Sequence, residues 1–201
     1  MSEALAGLGI TVPDSAIARR ASERMADVAA PFLVNHSIRC YAWAVELARN
    51  DRLQFDPEIL YVAAMLHDVG LVPAFDLGGC YEVDGAIAAE RLVREAGQPE
   101  AHARAIYDVI ALHNDEDLPP GSASEVVLLW EAAGTDVTGH RFADVRPAII
   151  PPVLAAYPRL DFKREFTALL IDQASRKPSC PAAEMIAAGM LEEVAQAPFD
   201  S

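Results

Sequence analysis

Ile59-Leu60-Tyr61-Val62-Ala63-Ala64-Met65-Leu66-His67-Asp68-Val69-Gly70 is an apolar run that ends on an adjacent His-Asp pair. Asp56-Pro57-Glu58 precedes it and reads as a helix start, with a capping Asp and then Pro at the first helical position. Gly70 and Pro73 follow it and read as a stop. The run is therefore expected to be a buried helix that delivers His67 and Asp68 at its end, where side chains can converge on a cavity. A carboxylate there needs a cation or several hydrogen bonds. A metal ion supplies the cation, and imidazole with carboxylate suits Zn, Fe, Mn or Ni. The competing reading is a plain helix end with a His favoured by the dipole, but the dipole disfavours the neighbouring Asp.

Two further stretches complete a pattern H…HD…D: Asn35-His36-Ser37-Ile38-Arg39 upstream and Gly134-Thr135-Asp136-Val137 downstream. His36, Cys40, Trp43 and Leu47 fall three or four apart, on one face of a helix expected over about 33–49. That face is apolar, so His36 points inward, as a core histidine or as a ligand. Ser37, Arg39, Glu46 and Arg49 can lie elsewhere on the helix. Asp136 follows an apolar helix and could simply belong to a C-terminal turn; Asp144 is the fallback.

Residues 1–12 read as a weakly specified arm, and 13–201 as one domain with a core of about 31–145 and C-terminal helices over 146–201. A first helix starts at Asp14 or Ser15 and runs to about Ala30. Others are expected at about 82–96, 99–112 and 122–134, and at 146–157, kinked or split by Pro151-Pro152. Asp161 to Lys177 is amphipathic with Phe162, Phe166, Leu169 and Leu170 inward, and a last helix runs to about Gln196. No strand and no repeat is evident; the fold class is all-α.

The net charge of −14 argues against nucleic acid and anionic membranes as partners. Only two lysines occur, Lys163 and Lys177, which disfavours a polyphosphate substrate and favours a small, weakly charged one. No signal peptide is evident and no apolar run reaches the roughly 18 residues of a membrane span, so a cytoplasmic protein is expected. Cys40, Cys80 and Cys180 are odd in number and far apart, so no disulfide is expected, and Cys40 reads as a core thiol.

The stretches NHSIRCYAWA, AAMLHDVGL, YEVDGAIAAERL and GTDVTG resemble the HD-domain metal-dependent hydrolase superfamily, and within it the cyanamide hydratase type, over roughly residues 11–145. The resemblance implies a helical bundle with a metal site in its central helices. It implies His36, His67, Asp68 and Asp136 as ligands of one divalent ion, zinc first, with Fe, Mn, Co or Ni as alternatives. It implies that a metal-bound hydroxide attacks a small substrate, with hydration of cyanamide to urea as the leading reading. Asp68 would help handle the proton and His113 would bind substrate or shuttle protons. Asn35, Arg39, Glu82 and Asp84 are candidates for supporting roles, and His102 and His140 are expected at the surface. A phosphohydrolase acting on a nucleotide or other phosphomonoester is the first alternative. Against its nucleotidase branch, Leu71 stands where a Glu often occurs, three residues after the Asp of the pair. A non-catalytic sensor or interaction module is the second alternative. A small-molecule substrate is the expected partner, and a homodimer is left open.

Overall fold

The computed structural model describes residues 2–199, which form eleven α-helices and, among the described residues, no strand. They are α1 (Ser2–Ala6), α2 (Ala16–Val28), α3 (Pro31–Asp51), α4 (Pro57–Leu66), α5 (Tyr81–Glu95), α6 (Glu100–Ala111), α7 (Ser124–Thr138), α8 (Ile150–Ala156), α9 (Phe162–Arg176), α10 (Pro181–Ala187) and α11 (Met190–Gln196). The all-α expectation holds.

Helix α4 sits at the centre, against α2, α3, α6 and α7. Asp56 caps it as expected, its Oδ1 accepting from the backbone N–H of Glu58 at 2.8 Å and of Ile59 at 3.2 Å. Every residue from Leu60 to Leu71 is buried. Ser15, one of the two expected starts, caps α2 through its Oγ. Gly70 is needed for close approach rather than for an unusual dihedral. A Cβ there would lie 1.9 Å from the Tyr81 carbonyl oxygen and 2.8 Å from the Gly85 nitrogen. The chain after the His-Asp pair thus lies directly on the first turn of α5.

Several sequence expectations are corrected. The N-terminal stretch is tied down: Leu5 and Ile10 are fully buried, and the Tyr41 hydroxyl donates to the Thr11 carbonyl at 2.7 Å. Arg39 and Glu46, expected away from the interior, are both buried. Each is paired there, Arg39 with Asp136, and Glu46 with Arg49 and with Arg146 at 2.8 Å. Pro151 and Pro152 open α8 instead of splitting a longer helix, because a first turn does not need their missing N–H groups. The last helix is two helices, broken at Gly189 with φ +104°.

Cys80 and Cys180 form a disulfide, against expectation. They are 100 residues apart in sequence, but each precedes a helix, α5 and α10, and the fold brings these two starts together. The bond tethers the C-terminal helices to the site-bearing bundle. Cys180→Ser is expected to cost about 2–5 kcal/mol, as loss of a native bridge typically does. Thermal unfolding with and without a thiol reductant checks this: the reductant should lower the wild-type midpoint and leave the variant unmoved.

Candidate metal centre

The end of α4, the inner face of α3 and the end of α6 bring His36, His67, Asp68 and His113 into one buried cluster, each at most 3% exposed. His36 Nε2 and His67 Nε2 both lie 3.3 Å from Asp68 Oδ2, and His113 Nε2 lies 3.6 Å from Asp68 Oδ1. The two ring nitrogens of His36 and His67 are 3.2 Å apart.

The outer nitrogen of each ring is already committed. His67 Nδ1 bonds to the Ala64 carbonyl at 2.8 Å and His113 Nδ1 to the Ile110 carbonyl at 2.5 Å, both three residues back. His36 Nδ1 bonds to Asp136 Oδ2 at 2.7 Å. A carbonyl or carboxylate can only accept, so each Nδ1 carries a proton, and each ring in its neutral form turns a lone pair inward. Two lone pairs 3.2 Å apart repel unless a proton or a cation lies between them. Asp68 Oδ2, which faces both, is buried without a hydrogen-bond partner. These residues fit a divalent ion: nitrogen and oxygen donors converge, and an orphaned carboxylate oxygen would be satisfied by it.

The charge balance agrees. Burial lowers the His67 pKa, but the Asp68 carboxylate outweighs it and pushes the group up to about 10. Burial also opposes the charged form of His36, and Asp136 and Asp68 overcome it. Both positions thus favour positive charge. His113 is the contrast: burial outweighs Asp68 and lowers its pKa, leaving a neutral base.

Asp136 was expected in the ligand set. It lies within α7, which runs on to Thr138 before Gly139 ends it, and on the Nδ1 side of the His36 ring, away from the nitrogen that faces Asp68. Its carboxylate is saturated. Oδ1 accepts from Arg39 Nε and Trp43 Nε1, each at 2.8 Å, and Oδ2 from Arg39 Nη2 at 2.7 Å and from His36. Arg159 Nη1 lies 3.4 Å from the same oxygen. Asp136 thus accepts the Nδ1 proton of His36 from behind the ring, the kind of contact by which carboxylates commonly orient metal-binding histidines. Arg39 in turn fixes Asp136. Asp144, the fallback, is paired with Arg141 at 2.8 Å.

The other candidates lie outside the cavity. Asn35 Nδ2 donates to the Pro158 carbonyl at 2.8 Å. Asp84 Oδ2 accepts from the backbone of Leu77 at 2.8 Å and Gly79 at 3.2 Å and so shapes the loop before α5. Glu82 is buried with Oε2 unpartnered. Burial, with Asp115 and Asp68 adding to it, raises its pKa to about 7 from an ordinary 4.5. The folded chain therefore holds a proton there that the unfolded chain releases. Stability from this group is fully present below pH 4.5, falls as pH rises towards about 7, and is flat beyond. Glu82→Gln is expected to stabilise at pH 8 by up to about 3 kcal/mol and to be neutral near pH 4. Urea unfolding at the two pH values checks the sign.

Sequence reasoning missed several lining residues. Asn114 Nδ2 donates to His113 Nε2 at 2.9 Å and to the Tyr81 hydroxyl at 2.5 Å, which sets the His113 ring. Their only signals were that Asn114 adjoins His113 and that Tyr81 opens the YEVDGA motif. Phe166 and Leu170, expected simply inward, wall a cavity of about 470 Å³ with the four clustered residues at its floor. His140 is exposed, as expected, yet sits on the cavity rim beside Trp130. His102 is partly exposed and stands apart from the cavity.

A family model described as "HD domain" matches residues 33–138, which span all four clustered residues and Asp136. Two Saccharomyces cerevisiae proteins, cyanamide hydratase DDI2 and cyanamide hydratase DDI3, are each 29% identical to the chain over 175 residues, covering 83% of it and 76% of the relative.

Proposed function

The chain belongs to the HD domain family, and from that premise we propose that it is a metal-dependent enzyme that adds water to the C≡N bond of a small uncharged substrate of the cyanamide class. The observation that carries the reading is the meeting of His36, His67 and the orphaned Asp68 oxygen at the floor of a cavity that no Lys or Arg lines among the described residues. Similarity to two proteins named as cyanamide hydratases supports the substrate class. A phosphomonoester would have only the ion, and no Lys or Arg of the cavity lining, to offset its charge. Of the buried arginines, Arg39 is paired with Asp136 and Arg159 reaches it through Nη1, and neither lines the cavity.

His36, His67 and Asp68 would hold the ion through Nε2, Nε2 and a carboxylate oxygen. A divalent ion held there supplies Lewis acidity and brings the pKa of a bound water near 7. The chain's own groups then divide the work. Asp136 and the Ala64 carbonyl fix the two histidine rings through their Nδ1 protons. Asp68 Oδ1, on the side facing His113, accepts the proton that water gives up as its oxygen bonds to the nitrile carbon. His113 Nε2 takes up and delivers a proton at the nitrile nitrogen, with Asn114 and Tyr81 holding its ring. Phe166 and Leu170 give the cavity an apolar wall beside these groups.

The test is urea formation from cyanamide by protein loaded in turn with Zn, Mn, Fe, Co and Ni. Urea is expected with at least one ion and is expected to cease on chelation. No urea with any ion would overturn the reading.

A further inference from the structure

The cavity is far larger than cyanamide requires. At a water's share of roughly 30 Å³, its 470 Å³ corresponds to on the order of fifteen water-sized groups. Its size falls in the range of sites that enclose drug-sized ligands. Above the polar floor the walls change character. Val137 of α7, Phe166 and Leu170 of α9, Met185 of α10 and Met190 beyond it are all apolar, and Trp130 stands among them. Five carboxylates line the cavity (Asp68, Asp115, Glu116, Glu184 and Glu193), the last three of these on exposed positions at its mouth. An anionic ligand would meet the three at the mouth with no Lys or Arg of the lining to offset them. The disulfide holds α10, which supplies part of the apolar wall, at the start of α5 beside Tyr81.

We infer that the substrate is an N-substituted cyanamide, R–NH–C≡N, whose apolar, uncharged R group fills the compartment between α7, α9 and the C-terminal helices. This rests on the hydration reading for the reacting end and on the cavity alone for the R group. The reaction keeps its balance. Water's oxygen bonds to the nitrile carbon, both of its protons end on the former nitrile nitrogen, and the product is the substituted urea R–NH–CO–NH₂. Nothing is oxidised or reduced, and no group leaves.

Burying a few methylene-sized groups in such a wall supplies about tenfold discrimination or more. Metal-loaded protein is therefore compared on cyanamide and N-benzylcyanamide, while calorimetry measures binding of urea and N-benzylurea. We expect kcat/KM at least about tenfold higher for the benzyl compound, and N-benzylurea bound at least about tenfold more tightly than urea. Ala188, exposed on the cavity lining after α10, offers a place to crowd the compartment. Ala188→Trp is expected to shrink both ratios. If neither cyanamide is hydrated but N-benzylurea binds with that preference, the compartment stands and the hydration reading falls. If N-benzylurea binds no more tightly than urea, the inference is overturned, whatever the turnover.

Discussion

Asp68→Asn is expected to reduce turnover by roughly a hundred- to a thousandfold, the scale of losing one preorganised electrostatic group, and to leave the protein folded. The carboxylate is the one negative charge that both His36 Nε2 and His67 Nε2 face. Without it the remaining donors are neutral imidazoles, and an ion has lost its counter-charge in a fully buried position. The fold loses the attraction between Asp68 and the histidines but no hydrogen bond at Oδ2. Asn keeps the shape and one carbonyl oxygen. Circular dichroism should therefore be unchanged while metal affinity and urea production both collapse. Retained turnover would show that Asp68 neither holds the ion nor handles the proton.

The second large effect is on stability. Arg39 and Asp136 are both fully buried and are joined by two hydrogen bonds, at 2.8 and 2.7 Å. Removing one member of such a pair leaves the other charge stranded, which costs about 3–5 kcal/mol. Arg39→Leu is expected in that range by urea unfolding at pH 7, since Arg159, 3.4 Å from the carboxylate, compensates only in part. It should also weaken metal binding by roughly 10–100-fold, because Asp136 holds the His36 ring in place. A single-variant cost below about 1 kcal/mol would mean that water reaches the pair.

Much of this arrangement was legible in the sequence. The cap Asp56-Pro57, the apolar run and the pair His67-Asp68 are local signals, and they fixed the central helix and the site's position. His36 was legible because an apolar helical face leaves a histidine only one direction. Gly70 was read as a helix stop, whereas its place depends on how closely Tyr81 and Gly85 approach, a tertiary fact. Asp136 was legible as a residue of the His36 neighbourhood. Its partners were not, because Arg39 and Arg159 reach it from 97 and 23 residues away. An arginine on a helix is solvent-facing by default, and only a buried carboxylate overrides that default. Cys80 and Cys180 failed for the same reason: a spacing of 100 residues carries no signal until two helix starts meet.

The most direct measurement is the metal content of the purified, metal-incubated protein by elemental analysis, beside His67→Ala and Asp68→Ala variants shown to be folded. The account predicts about one divalent ion per chain in the wild type and none retained in either variant, since His67 Nε2 and Asp68 face the same point 3.3 Å apart. A wild-type chain that binds no ion under any loading condition, or variants that keep theirs, would contradict it.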